Sequence, residues 1–496
     1  MRRRDLLGLA PALLLSADRP KLEQGIQIGD VIGGKATIWT RSSAPGRMAV
    51  SWQTSENGAV HRVNGPGLTA ESDFTGRLNL AGLPAGQTVL VKVQVDNSEP
   101  VSGQFRTPAR QPERLRITWG GDTVGQGWGI NEEFGGMKIY ESMRLRRPDF
   151  FIHSGDTIYA DGPVPREMKL KDGRVWRNVV TEAKSKVAET LDEFRGAYRY
   201  NLLDANLRRF NAEVPQLWQW DDHEVMNNWS PAKDVSDNPL YQEKRVPVLV
   251  ERGKRAFLDY SPMRFNRDEA GRVYRQISYG PLVDVFMLDM RTYRGPNTAN
   301  LQAVESPETT YLGDAQRRWL KAALKRSKAM FKIVAADMPI GLNVGDGRVG
   351  NQPRWEASAN GTPGEPKGRE LEIADLLSFM KKQKIKNTIW VTADVHYCAA
   401  HEYRPTPGGF QDFDPFWEFV GGPLNAGSFG PGELDLTFGP RVDFQKHPPK
   451  DMMSCGPADG YQFFGEINVD AAARTLSVDF RNLNGESIYQ KTLVAG

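Results

Sequence analysis

Six apolar runs along this chain each close on an aspartate. They are Ile117-Thr118-Trp119-Gly120-Gly121-Asp122, Phe150-Phe151-Ile152-His153-Ser154-Gly155-Asp156, Leu217-Trp218-Gln219-Trp220-Asp221-Asp222, Val285-Phe286-Met287-Leu288-Asp289, Ile333-Val334-Ala335-Ala336-Asp337 and Ile389-Trp390-Val391-Thr392-Ala393-Asp394. Short apolar runs of this kind predict buried strands rather than helices. Between them lie stretches expected to be helical: Met137 to Arg146, Asp314 to Lys325 and Leu371 to Lys384. Strands alternating with helices predict a layered α/β domain over residues 111–496. The closing runs Phe464 to Val469, Leu476 to Phe480 and Ile488 to Val494 are expected to complete one of its sheets. Residues 180–212 are polar and helix-prone, which predicts a surface insertion. Residues 341–368 and 404–450 are rich in Gly and Pro and too long for plain connectors, which predicts loops over a site.

Residues 18–110 have a different pattern. Ala36-Thr37-Ile38-Trp39-Thr40, Met48-Ala49-Val50-Ser51-Trp52 and Val89 to Val95 are β-branched or alternating runs separated by turn signals. Short strands spaced this way predict an all-β sandwich. No metal-ligand cluster falls there, so its expected role is a rigid N-terminal cap or spacer.

Ligands of open α/β sheets bind outside the carboxyl ends of the strands. If the six runs shared a sheet, their aspartates would crowd one edge. Such a concentration of buried negative charge requires cations. Composition adds little to this picture. The chain has 496 residues, 25% charged and 39% hydrophobic, with a formal net charge of +3. That near-neutral balance gives no general electrostatic case for nucleic acid or membrane surfaces. Two cysteines, Cys398 and Cys455, are too few for a thiolate metal site or a disulfide framework.

The first residues carry their own signal. Arg2-Arg3-Arg4 precede an apolar stretch from Leu6 to Ala17 that ends Leu15-Ser16-Ala17. That is the layout of a signal peptide over residues 1–17. Arg3-Arg4-Asp5-Leu6-Leu7 resembles the twin-arginine export signal. The expected partner is the twin-arginine machinery, and the expected location is periplasmic or secreted. The apolar run is too short to span a bilayer stably, so no stable membrane insertion is expected.

Four short pieces occur in the order found in dinuclear metallophosphoesterases: Gly121-Asp122, Gly155-Asp156-Thr157-Ile158-Tyr159, Asp222-His223-Glu224 and Ala393-Asp394-Val395-His396. With Trp220-Asp221-Asp222-His223-Glu224-Val225, Leu288-Asp289-Met290-Arg291-Thr292-Tyr293-Arg294, Trp39-Thr40-Arg41 and Phe105-Arg106-Thr107, the chain resembles the alkaline phosphatase D family. This family is a branch related to purple acid phosphatases. The resemblance covers nearly the whole chain after residue 17. It implies an α/β, layered β-sheet metallophosphoesterase domain of the calcineurin-like kind behind an N-terminal all-β sandwich.

It also implies roles. Asp156 would bridge two metals. Tyr159, Asp122 and His396 would complete one site, and Asp222, Asp337 and Asp394 would hold the second. Carboxylate donors favour Ca2+ at the second site, and a phenolate with carboxylates and one imidazole favours Fe3+ at the first. This chain departs from the family's better-known members, which place a cysteine where Asp122 aligns. His223 would act as general acid toward the leaving oxygen. Arg291, with Arg294, Asn227 and Asn228, would grip the phosphate. Asp289 reads instead as a structural cap or salt-bridge partner, His153 and Cys398 as core residues, and His401 as a weak site candidate.

The function expected is hydrolysis of small-molecule phosphate esters by metal-activated hydroxide, as an alkaline phosphatase or phosphodiesterase. The runner-up is a phospholipase-D-like or nuclease-like diesterase, which the near-neutral charge weakens for specific nucleic-acid binding. A non-catalytic, metal-stabilised envelope binding protein is the reading from another class. A structural site alone would not need His223.

Overall fold

The structure, a computed structural model, describes residues 19–266 and 268–496. The expected signal peptide lies outside these residues. Two large sheets face each other across one apolar core. The first has nine strands in the order Ser487–Val494, Thr475–Asn482, Phe463–Asp470, Arg114–Gly120, Phe150–His153, Gln216–Trp218, Ile26–Ile32, Lys35–Arg41 and Thr75–Leu80. The second has seven: Arg275–Tyr279, Val283–Met287, Phe331–Ala335, Thr388–Thr392, Phe416–Val420, Cys398–Tyr403 and Pro440–Lys446.

Alternate residues explain the layering. Ile117, Trp119, Phe150, Ile152, Val285, Met287, Ile333, Ala335, Ile389 and Val391 share the core between the sheets. Their neighbours point the other way. Phe151 packs under helices α1 (Lys138–Leu145), α2 (Leu191–Asn201), α3 (Ala205–Glu213) and α4 (Val246–Tyr260). Phe286, Val334 and Trp390 pack under α5 (Asp314–Arg326) and α6 (Glu370–Lys382). Strands buried on both faces read as continuous apolar runs, as parallel strands between helices do.

The six runs do not share one sheet. Three belong to each, and the sequence pattern carries no information on which sheet a strand joins. The arrangement still gathers their ends, because neighbouring strands within each set are parallel: Arg114–Gly120 beside Phe150–His153 beside Gln216–Trp218, and Val283–Met287 beside Phe331–Ala335 beside Thr388–Thr392. The three C-terminal strands join the nine-stranded sheet through Phe463–Asp470, antiparallel to Arg114–Gly120.

The N-terminal sandwich has its own core, including Ile28, Ile38, Met48, Val50, Val91 and Val93. One of its layers is a separate four-stranded sheet. The other is the edge of the nine-stranded sheet, entered where Gly29 pairs in parallel register with Gln216. A cap or spacer was expected; the structure makes this region part of the main sheet. Side chains reinforce the joint. Trp39 donates its indole N–H to the Asp259 carbonyl at 2.8 Å, and Arg275 pairs with Asp30 at 2.8 Å.

Residues 180–212 also differ from expectation. They form α2 and α3, whose Phe194, Ala197, Tyr198 and Phe210 are buried against the sheet. Their polar composition misleads because some charges are internal, such as Arg195 paired with Asp259 at 2.6 Å. The start of α2 is fixed by a capping box between Thr190 and Glu193.

Candidate metal centre

The first ligand segment leaves its strand at His153 and turns at Gly155, whose φ is 97°. A side chain there would collide with Asp221, so glycine is required by space as well as by backbone. Asp156 follows with φ 51°. Asp122, Asp394 and His396 also occupy left-handed backbone, at φ 68°, 69° and 60°. Four candidate ligands in a region that non-glycine residues rarely adopt are a concentration of strain of the kind held at functional sites.

Three groups of donor atoms result: Asp122 with Asp156 and His396, Asp156 with Asp222 and His223, and Asp221 with Asp222 and Asp394. Within each group the atoms lie within 4.8 Å of one another. Asp156 belongs to the first two groups and Asp222 to the last two, so the groups form a chain. Tyr159 joins the first group, its hydroxyl 2.8 Å from His396 Nε2. His396 donates from Nδ1 to the Gly427 carbonyl at 2.5 Å, which leaves Nε2 as the nitrogen that could coordinate a metal. Burial pushes the His396 pKa down to about 3, so the ring is neutral, as a ligand must be.

The carboxylates are deeply buried. Burial raises the pKa of Asp122 to about 8 and raises those of Asp156, Asp221 and Asp394 as well. Both oxygens of Asp122, Oδ2 of Asp156, Oδ2 of Asp221 and Oδ1 of Asp222 have no hydrogen-bond partner among the described residues. Buried carboxylate oxygens left unpaired are costly, and cations in the three groups would satisfy them. The donor chemistry therefore fits metal ions.

Glu224 organises the centre without entering it. It accepts from the backbone N–H groups of Thr157 and Asp221, both at 2.6 Å, and from the Thr157 hydroxyl at 2.6 Å. The motif Asp222-His223-Glu224 contains this residue without revealing its role. Asp221 is missed by that motif; the signal for it was its position directly before Asp222 at a strand end.

Several residues expected at the site do something else. Asp337 accepts from the Met338 N–H at 2.8 Å and from Arg291 Nε at 3.2 Å, and falls outside the three groups. Asp221 takes the place beside Asp222 and Asp394 instead. Arg291, expected to grip phosphate, has no exposed side-chain surface and pairs with Asp221, Asp337 and Glu356. It is an internal counter-ion. Arg294 is buried too, donating to the Glu356 carbonyl and to Asn297. Local sequence could not separate an arginine facing the cleft from one behind the carboxylates. Asn228 gives its backbone N–H to Asp222 and its side chain to the Gly345 carbonyl. Asn227 is exposed.

Asp289 caps its turn by accepting from the Arg291 and Thr292 backbones at 3.1 and 2.9 Å. His153 is buried against Thr123 at 3.2 Å, and His401 pairs with Glu418 at 3.1 Å away from the centre. Cys398 and Cys455 are buried free thiols. The loops 341–368 and 404–450 do border the centre, through Gly345, Gly427 and Gly422, which packs against Asp122.

Two facing sheets flanked by helices, with carboxylates and imidazole collected at parallel strand ends, define a metallophosphoesterase-like protein. Residues 118–480 match the PhoD-like phosphatase family, and residues 8–109 match its N-terminal domain. The chain belongs to the PhoD-like phosphatase family. It is 28% identical over 284 residues to alkaline phosphatase D of Bacillus subtilis (strain 168), a stretch spanning 53% of this chain and 44% of that protein. The solved structure of PhoD superposes with a TM-score of 0.70 at 20% identity, covering 97% of this chain and 90% of that one. A purple acid phosphatase, PPD1 from yellow lupin seeds, gives 0.58 at 14% identity, covering 96% and 74%. Both show the same fold.

Proposed function

We propose that this chain is an exported, metal-dependent phosphoesterase that hydrolyses small-molecule phosphate esters. The observation that carries the reading is the chain of donor groups linked through Asp156 and Asp222. Asp122, Asp156, Tyr159 and His396 suit ferric iron. Asp222 and Asp394, with Asp221 now beside them and Asp156 shared, are oxygen donors that suit calcium. Bound ions would activate water and offset charge on the phosphoryl oxygens.

The protein's own contributions follow from position. Asp156 and Asp222 hold the groups in line. His223 lies beside both carboxylates, with Nε2 free of any hydrogen bond among the described residues. It is placed to hand a proton to the leaving oxygen. Arg291 offsets the carboxylate charge from behind, pairing with Asp221, Asp337 and Glu356, and Asn227 is exposed.

The test is phosphate release from p-nitrophenyl phosphate and its bis ester, with and without chelator. Chelation should abolish release, and calcium should restore it better than zinc. Full activity after exhaustive chelation would defeat the assignment. The monoester-to-diester ratio separates the phosphatase from the diesterase reading.

Export rests on the sequence of residues 1–17 alone. Replacing Arg3 and Arg4 with lysine should leave the protein in the cytoplasm, because twin-arginine signals are read as a pair. Undiminished periplasmic protein would refute it.

A further inference from the structure

We propose that the pole of the molecule opposite the metal centre is a docking face for an anionic phospholipid bilayer. The inference does not rest on the phosphoesterase reading. It starts from the polarity of the sheets. The parallel strands bring their carboxyl ends to the metal centre. Their amino ends, the ends of the helices that precede them and the turn 471–474 therefore lie together at the far pole. That pole is one surface across both sheets. The Gly496 N–H donates to Asn387 at 3.0 Å, and the Tyr279 hydroxyl donates to the Asp149 carbonyl at 3.4 Å. It stands about 20 Å from the centre, the length of a strand such as Arg114–Gly120.

Cations collect there. Arg106, Arg110, Arg147 and Arg474 border the nine-stranded sheet and are exposed. Lys325, Arg326, Lys328, Lys382, Lys384 and Lys386 border the seven-stranded sheet and are exposed too. Among the described residues none of these side chains has a carboxylate oxygen within 4.0 Å. The exposed carboxylates of the same segments are Glu113, Asp412 and Asp414, and Asp412 is already taken by Lys381 at 3.2 Å. Cations at helix C-termini complement the helix dipole, which accounts for Lys325, Arg326 and Lys382. It does not account for Arg106, Arg110 or Arg474, which lie at a strand end, in a linker and in a turn. The formal net charge of +3 hides this segregation, because it averages the pole with the carboxylate-rich centre.

Two features select a bilayer over a soluble polyanion. Aliphatic side chains stand among the cations: Leu145 is 64% exposed and Val494 72%. A cationic face with protruding apolar side chains combines the two attractions of interfacial membrane binding. The cations also spread over the ends of two sheets rather than lining one groove, which suits a broad charged plane. A cavity of about 1060 Å³ beside Leu145, lined by Arg106, Arg114 and Arg147, offers guanidinium groups to a headgroup phosphate. Docked this way, the protein would hold its metal centre on the side facing away from the lipid.

Sedimentation of the full chain with phosphatidylcholine vesicles, with and without phosphatidylglycerol, tests this. Binding should require phosphatidylglycerol and should fall steeply with salt, because screening shortens to about 3 Å at 1 M. The triple variants Arg106→Gln, Arg110→Gln, Arg147→Gln and Lys382→Gln, Lys384→Gln, Lys386→Gln should each weaken binding by on the order of 100-fold, at about five-fold per residue. A control variant, Arg166→Gln, Lys169→Gln, Lys171→Gln, alters exposed cations around the hairpin that packs on Gly127, past the carboxyl end of Arg114–Gly120. It should bind as the wild type does. Leu145→Ser with Val494→Ser should weaken vesicle binding as well. All the variants should keep the wild-type urea midpoint, since exposed substitutions of this kind cost little.

Absence of binding, binding without phosphatidylglycerol, or binding that survives both triple substitutions would overturn the proposal. In the last case residues 1–17 or another face would be responsible. An equal loss in the control variant would show a response to net charge alone, and would overturn it too. Wild-type vesicle affinity in the Leu145→Ser, Val494→Ser variant, with an oligonucleotide bound as tightly as the vesicles, would replace the bilayer by a soluble polyanion.

Discussion

Tyr159 decides what the first site holds. Its phenol is buried, and burial together with Asp156 and Asp122 keeps it protonated while no cation is near. A highly charged ion would reverse that balance by drawing the phenolate oxygen to itself. A phenolate on ferric iron is coloured, and no other donor in this centre gives such a band. Tyr159→Phe keeps the ring against His223 and removes only the oxygen. The concentrated wild type should absorb in the visible and the variant should not, with less iron retained by elemental analysis. A colourless wild type carrying its full metal complement would exclude ferric phenolate, and Asp122 in place of a thiolate would then be the residue to examine. Arg291 shows the converse at the same scale. It looked like a substrate clamp because it follows a strand-end aspartate, yet it faces three carboxylates and no solvent.

Among the elements, the joint between Ile26–Ile32 and Gln216–Trp218 ties the N-terminal layers to the main sheet. A side chain at Gly29 would collide with the Pro262 carbonyl and crowd the Gln216 backbone. Gly29→Val should therefore destabilise the whole protein by about 1–3 kcal/mol, the usual cost of overpacking a tight contact. A urea unfolding midpoint unchanged from wild type would mean that the joint yields freely. This element also shows what the sequence could reveal. Layered α/β class, the family and the gathering of strand-end aspartates followed from run length, spacing and motif order, because those features are local. The division of six strands between two sheets did not follow, since strand pairing is a long-range choice. Neither did the fusion at Gly29, nor the burial of α2 and α3 beneath polar composition. At the centre, Asp122, Asp156, Tyr159, Asp222, Asp394 and His396 could be named from motifs and do meet in space. Asp221, Glu224 and the true partners of Arg291 required the turns that bring them together.

For the molecule as a whole, the metal-free centre sets a pH dependence of stability. Burial raises the Asp122 pKa from 3.8 to about 8. A carboxyl group whose folded pKa is raised contributes stability that is complete below its unfolded value and is lost as pH rises through the folded value. The metal-free protein should therefore weaken steadily between about pH 4 and 8. Cations bind the deprotonated centre and should reverse the trend. Urea midpoints measured across that range, in chelator and in calcium, would check this. Parallel curves in the two conditions would show that these carboxylates are not where the ions act.

The parallel pairing of Gly29 with Gln216 also sets a schedule. The strand Ile26–Ile32 is made well before the neighbour it needs, which is encoded most of two hundred residues later. Until Gln216–Trp218 emerges, that strand keeps a bare row of backbone donors and acceptors along one side. Unpaired edges invite the wrong partners, and distant pairings close slowly. The N-terminal layers are thus begun before the strand that completes them exists, and they stay unfinished until the first half of the centre has been synthesised.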